Sequence, residues 1–197
     1  MRPYLLNLLY PPFCRFCGDS LPREHFLCDS CWSLIDPLDY FGRCHVCFTL
    51  REKGVPCHCV SKQGMALCAA VFNAKDPAAT LLFEAKRGYR RQLCKSLSAL
   101  MVCQILNLGW PLPDIIVPLP RSKINLYMAE QMAVLLKKKR RILLGYNYWR
   151  KSFVLRGSAP NSSILLIGSD LNESLRQGAH LLATNSKTGI FALGYME

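Results

Sequence analysis

Eight of the eleven cysteines fall between Cys14 and Cys59, in four close pairs: Cys14/Cys17, Cys28/Cys31, Cys44/Cys47 and Cys57/Cys59. A C-x-x-C turn lets two thiolates converge on one ion, and a second pair on a neighbouring loop completes a tetrahedron. Four pairs therefore predict two closed all-cysteine Zn2+ sites, which hold structure together and leave no open position for catalysis. The spacings C-x2-C-x10-C-x2-C and C-x2-C-x9-C-x-C each have the length of one ribbon. The pairing is thus expected to be sequential, with an interleaved cross-brace as the alternative. His25, His45 and His58 could each replace a thiolate, but both units already contain four cysteines. A disulfide framework would need an oxidising compartment. The only apolar stretch before Cys14, Leu5 to Tyr10, is interrupted by Asn7 and ended by Pro11-Pro12, with no small-residue cleavage site. No apolar run reaches the roughly 18 residues of a membrane span. A cytoplasmic protein without a membrane span is expected.

Charge points to the partner class. Lys plus Arg outnumber Asp plus Glu by 25 to 13, a formal net charge of +12. Two ions each bound by four thiolates would bring this to about +8. Such an excess suits nucleic acid, anionic lipid or a polyphosphorylated substrate, with plain solubility as the competing reading. Two dense clusters stand out. Lys86, Arg87, Arg90 and Arg91 surround Gly88-Tyr89, where Tyr89 could stack on a base while its neighbours contact phosphate. Lys137, Lys138, Lys139, Arg140 and Arg141 form an unbroken run in a helical pattern, suited to complementing a helix C-terminus.

At 197 residues, 51% of them hydrophobic, the chain has room for a Cys-rich module and a domain with its own core. We expect a double zinc ribbon over residues 1–62 and an α/β domain over 63–197. Ala66 to Phe72 reads as a buried strand, Asp76 to Ala85 as a helix with Pro77 in its first turn. Gln92 to Leu106 is an amphipathic helix with Leu93, Leu97, Leu100 and Met101 on one face. Cys68, Cys94 and Cys103 lack partners at ligand spacing and read as small apolar core residues. Asp114 to Pro120 is an apolar run closed by prolines, as in a parallel strand buried on both faces. A helix ending near Lys139 follows. Ser163 to Ile167 is a similar strand, leading to a helix faced by Leu171, Leu175, Ala179 and Leu182. Asp170 and Glu173 form a D-x-x-E pair close to a capping box. Thr188 to Leu193 is the last strand. Strands alternating with helices predict a mostly parallel sheet flanked by helices.

Four segments in order resemble the ComF family: the opening Leu5 to Cys14, the run Cys28-Asp29-Ser30-Cys31-Trp32, the segment Phe83 to Tyr89, and the strand Asp114 to Pro120. Members of that family join a zinc ribbon module to a phosphoribosyltransferase-type domain and are tied to natural competence and DNA uptake. The resemblance implies single-stranded DNA or a DNA-uptake helicase as partner. It also implies phosphoribosyl pyrophosphate with Mg2+ as a possible ligand, and a protein–protein adaptor role remains open.

The departures bear on that ligand. In the family, a strand like Ile164 to Ile167 runs into two acidic residues and a Thr-Thr-Gly turn; here Gly168 follows directly. Further gaps lie between Tyr127 and Met128, where Arg-Gly-Phe-Asn is expected, and near Asn147 to Ser152. All three would surround the ligand, since carboxylates hold the ribose hydroxyls and loop N–H groups cradle the phosphate. Either the pocket has been lost, or the sequence as written omits loop residues. In the second case Gly168, Ser169, Asp170, Asn172 and Glu173 are the surviving half of a phosphate cradle. In the first, they simply begin a capped helix.

Overall fold

The computed structural model describes residues 11–196 apart from 23–24, 45, 52–56, 58, 60–66, 74, 76, 89–90, 158–160, 172 and 186–188. Among its described residues the Cys-rich module has one short helix, α1 (Asp29–Ser33). The elements that follow are β1 (Leu67–Phe72), α2 (Pro77–Gly88), α3 (Arg91–Asn107), β2 (Ile115–Pro118), α4 (Lys123–Leu135), β3 (Lys139–Arg140), β4 (Leu144–Asn147), β5 (Ser152–Leu155), β6 (Ile164–Asp170), α5 (Glu173–Asn185) and β7 (Ile190–Met196).

Five strands make one sheet in the order β1-β7-β6-β2-β3, and every pairing is parallel. Its central strands are apolar on both sides. Residues 115–118 and 164–167 are all buried, as continuous runs of Ile, Leu and Val require when helices cover both faces. The connections from β1 to β2 and from β2 to β3 travel the same way across the sheet, whereas β6 to β7 returns. Right-handed crossovers therefore put α3 and α4 on one face and α5 on the other. The packing agrees: Ser98 Oγ on α3 donates to the Met128 carbonyl on α4 at 3.1 Å. On the opposite face Gly178 of α5 lies so close that an added Cβ would come within 3.1–3.2 Å of Leu119, Leu144 and Leu166. A glycine fits there without moving the three leucine methyls, which any larger residue would have to push aside by a few tenths of an ångström.

Several expected features differ from the structure. The helix does not run on to near Lys139: the basic run begins just beyond its end. Helix α4 stops at Leu135, and its last carbonyls are taken by the Lys137 N–H (to Val134, 3.2 Å) and the Lys138 N–H (to Ala133, 2.9 Å). This is a Schellman closure with Lys137 in the left-handed region, φ 53, where glycine is usual. Lys139 and Arg140 then form the short edge strand, and the Arg141 N–H bonds the Ile116 carbonyl at 2.9 Å. Helix α3 closes in the same way on Gly109, φ 63. Cys68 and Cys94 are buried as expected, but Cys103 is exposed on α3. The antiparallel hairpin β4–β5 was not anticipated.

The three joins flagged in the sequence also find a place. Tyr127–Met128 lies inside continuous α4, and Ile167–Gly168 inside β6, while Asn147 to Ser152 is the hairpin turn.

Candidate metal centres and cationic surfaces

The structure gathers the cysteines sequentially, not cross-braced: Cys14, Cys17, Cys28 and Cys31 in one group, Cys44, Cys47, Cys57 and Cys59 in the other. Within each group the sulfurs all lie within 4.8 Å of one another. Matching hairpins present the first pair of each. In the first, the Cys14 N–H bonds Asp19 O and the Gly18 N–H bonds Cys14 O; in the second, the Cys44 N–H bonds Thr49 O and the Phe48 N–H bonds Cys44 O. Gly18 and Phe48 occupy equivalent left-handed positions, φ 84 and φ 63. A buried phenylalanine there carries a backbone penalty that Gly18 avoids. Arg43 helps hold it, with its guanidinium 4.9 Å over the ring and a 3.0 Å bond to the Phe48 carbonyl. The second pair of the first group comes from the start of α1, where Cys28 is the N-cap.

The geometry suits a tetrahedral ion. Sulfur–sulfur separations of 3.6 Å for Cys17/Cys28, 3.3 Å for Cys44/Cys59, 3.4 Å for Cys47/Cys57 and 3.2 Å for Cys57/Cys59 are far too long for disulfide bonds. They approach the ~3.8 Å edge of a Zn–S4 tetrahedron. The ionisation pattern asks for a cation. Burial pushes the Cys44 thiol up, but the Arg51 guanidinium and the Cys47 and Val46 N–H groups override it and hold the thiol at about 5. At Cys14 burial is likewise outweighed, here by the Cys17, Cys28 and Phe16 N–H groups, leaving it at about 6. Burial and the neighbouring Cys28 push Cys31 up to about 11, and burial with Cys57 raises Cys59. Thiolates this close cannot all ionise without a dication among them.

The second centre is also the junction with the α/β domain. The Cys68 N–H of β1 bonds the Val46 carbonyl at 2.7 Å, and Arg176 of α5 donates to the Cys47 carbonyl at 3.0 Å. Just upstream, the Leu38 N–H bonds Val71 O at 2.7 Å, and buried Gln104 donates to both Leu38 O (2.8 Å) and Ala70 O (3.1 Å). The Cys-rich module thereby covers the outer edge of β1. Clefts of about 670 and 480 Å³ flank this contact, the second lined by Arg43, Phe48, Leu67 and Trp110.

The remaining candidates are scattered. Lys86 and Arg87 close α2, far in sequence from the exposed trio Lys139, Arg140 and Arg141 at the other end of the sheet. Lys138 pairs with Asp114 at 3.8 Å. Tyr89 and Arg90 lie outside the described residues, as do His45, His58 and Asn172, and the side chain of Arg91 is not described; His25 is exposed and belongs to neither cysteine group. Gly168, Ser169 and Asp170 are strand residues, with Gly168 facing Gly194 and Asp170 facing Met196 across to β7. Since α5 starts at Glu173, Asp170 is not its cap, which corrects the capping-box expectation. Only residues 171 and 172 separate strand from helix.

Arg121, Tyr146, Tyr148 and Trp149, which no motif marks in the sequence, come together in the structure around the β4–β5 hairpin. Arg121, at φ 80 beyond the end of β2, lays its guanidinium 4.2 Å over Tyr146 and 6.0 Å from Tyr148. The one available signal was the Tyr-Trp-Arg-Lys sequence itself.

No helix among the described residues is long and apolar enough to cross a membrane. The family model described as a double zinc ribbon domain matches residues 5–61, the part of the chain that contains both cysteine groups. No curated protein matches the chain.

Proposed function

We propose that the chain is a ComF-like, cytoplasmic protein that handles single-stranded DNA. Each cysteine group holds one structural Zn2+, with Cys14, Cys17, Cys28 and Cys31 as one ligand set and Cys44, Cys47, Cys57 and Cys59 as the other. Bound metal supplies rigidity: it fixes the Cys-rich module, residues 1–62, against the sheet of a phosphoribosyltransferase-like domain, residues 63–197. The observation that carries the DNA reading is the open sheet edge, where Lys139, Arg140 and Arg141 stand exposed in sequence on a chain of formal charge +12. Such an edge attracts a polyanion whatever its sequence. Lys86, Arg87, Tyr89, Arg90 and Arg91 are a second candidate contact. A DNA-uptake helicase is the protein partner that the resemblance suggests.

The test is a titration of zinc-loaded protein with a labelled single-stranded oligonucleotide at several salt concentrations, beside a chelator-treated sample. Binding should fall with salt at a log–log slope of roughly −0.7 per phosphate contacted, and should weaken without zinc. A flat salt response, or no binding at low salt, would overturn it in favour of a protein–protein adaptor.

The phosphoribosyl pyrophosphate reading, with Mg2+, finds less support. In open α/β sheets ligands bind beyond the strand ends where the connections diverge, here between β2 and β6. At that place β6 stays paired to β7 through Asp170, leaving residues 171 and 172 to wrap a phosphate. Protection against thermal unfolding would revive the reading: at 100 times its dissociation constant a ligand adds about 2.7 kcal/mol.

A further inference from the structure

Between Glu130 and Asp170 the chain carries no carboxylate, while Lys137 to Arg141, Arg150, Lys151 and Arg156 all lie there. Within this stretch the β4–β5 turn presents Tyr148, Trp149, Arg150 and Lys151. Trp149 is 98% exposed and Tyr148 71%. An indole wholly in water forgoes the burial such a side chain ordinarily obtains. Yet the turn that holds it is tied down. Asn147 Oδ1 accepts from the Trp149 N–H at 3.0 Å and the Arg150 N–H at 3.1 Å. Beneath the tip, Tyr146 packs edge-to-face on Tyr148 (5.2 Å) and on Phe153 (5.3 Å). Arg121 reaches this cluster from the β2–α4 connection, against the strain of its positive φ, and covers the Tyr146 face. A guanidinium stacked on a ring keeps its in-plane N–H groups at the rim, where they can meet phosphate oxygens.

We propose that this hairpin tip is a base-stacking site for single-stranded nucleic acid, separate from the metal module. Trp149 and Tyr148 receive unpaired bases, and Arg121, Arg150 and Lys151 take the flanking phosphates. Ring faces beside cations with no carboxylate among them match a strand whose bases are free and whose backbone is anionic. A duplex, with its bases stacked internally, offers the rings nothing to receive. The inference rests on the single-strand reading above and locates where the bases would go.

The experiment uses the full zinc-loaded chain and a dT oligonucleotide of about 15 residues, within the range of single-strand site sizes. Tryptophan emission is followed against anisotropy of a labelled copy. We expect quenching on binding, a Trp149→Ala, Tyr148→Ala variant that binds about ten- to a hundred-fold more weakly, and a Trp149→Phe variant that keeps most of the affinity while losing most of the quench. Hairpinned duplex of the same length should bind more weakly than dT. If the double variant binds like the parent while Lys139→Glu, Arg140→Glu abolishes binding, the stacking site is overturned and the single-strand reading stands. Absence of dT binding by the parent overturns both. Capture of polyglutamate instead, lost on Trp149→Ala, overturns the nucleic-acid assignment and makes the tip a site for acidic protein.

Discussion

The sheet has two edges, and the chain guards them by different means. At β1 the exposed backbone is covered: Leu38 and Val46 of the Cys-rich module bond Val71 and Cys68, and Gln104 clamps both sides from beneath. At β3 the edge is only Lys139–Arg140, cationic and paired on its outer side by no strand among the described residues. An unpaired edge invites another strand, and proteins block it by cover, brevity or charge. Part of the covered edge is tied to the second metal centre, because Val46, whose carbonyl meets β1, lies between the ligands Cys44 and Cys47, and the carbonyl that meets α5 belongs to Cys47 itself. The open edge depends on nothing but its own side chains. Loss of metal should therefore harm one edge and spare the other.

The largest effect is expected at the second metal centre. Cys47→Ser should lower bound zinc from two ions to one, release the β1 edge and collapse the cooperative thermal transition. Structural zinc contributes about 10–16 kcal/mol in ribbon-sized peptides, comparable to the whole stability of a domain. Cys14→Ser should lose one ion too, yet leave most of the transition. Its hairpin bonds, from Cys14 to Asp19 and from Gly18 to Cys14, close on the module itself, and it meets the rest of the chain by packing, with Cys14 and Cys31 in the same buried cluster as the sheet. Zinc content and unfolding midpoint, measured on both variants, check the asymmetry. Equal losses of stability would break the comparison.

A smaller effect isolates the cover from the metal. Gln104 is buried, and its amide meets two carbonyls from different parts of the chain. Gln104→Leu keeps the volume but leaves both acceptors with one donor fewer, a cost of about 1–3 kcal/mol. Zinc content should not change. Loss of zinc together with stability would mean that the clamp and the metal site are one unit.

Much of this architecture is legible in the residues, for reasons that also explain the failures. The strands around Ile116 and Leu165 are unbroken aliphatic runs, and nothing else in a chain of this size needs such runs. The cysteine spacings point to two groups because each ribbon-length unit supplies four thiols, although spacing alone left the interleaved pairing open. The end of α4 misleads: the helical pattern continues into Lys137–Lys139, and the stop is a lysine in a conformation that sequence normally marks with glycine. The β4–β5 hairpin is hidden for a similar reason. Its strands are four residues each, and its turn carries Trp-Arg-Lys in place of a glycine signal. The Asp170–Glu173 pair fits a capping box by spacing alone, but strand pairing to β7 holds Asp170 in the sheet. Only at Asp170 does a distant strand override the local preference; at α4 and the hairpin the turn is local but is made by residues that do not mark it.

At the open edge the test is aggregation. Lys139→Val, Arg140→Val should leave the unfolding midpoint close to that of the parent, since exposed substitutions rarely exceed about 0.5 kcal/mol. The variant should nevertheless self-associate, as light scattering against concentration would record, because charge is what keeps that edge single. The cations then have two roles, and the same variant should lose affinity for single-stranded DNA.

The smallest expected effect also lies beside this edge and concerns acid. Asp114 accepts from the Ser163 hydroxyl at 2.8 Å and from the Ser163 N–H at 3.0 Å, and Lys138 stands 3.8 Å away. The Ser163 bonds foremost, with Lys138 adding to them, hold its carboxyl below the ordinary carboxylate range. A carboxyl more acidic in the folded chain stabilises it above the unfolded value of about 3.9. That contribution is lost as pH falls through the lower folded value. Asp114→Asn should thus lower stability slightly at neutral pH and flatten the decline below about pH 4, seen as urea midpoints that converge with the parent's on acidification. The side chain is half exposed, so the shift should be small. A difference that persists at low pH would assign the loss to contacts that the protonated carboxyl keeps, not to its ionisation.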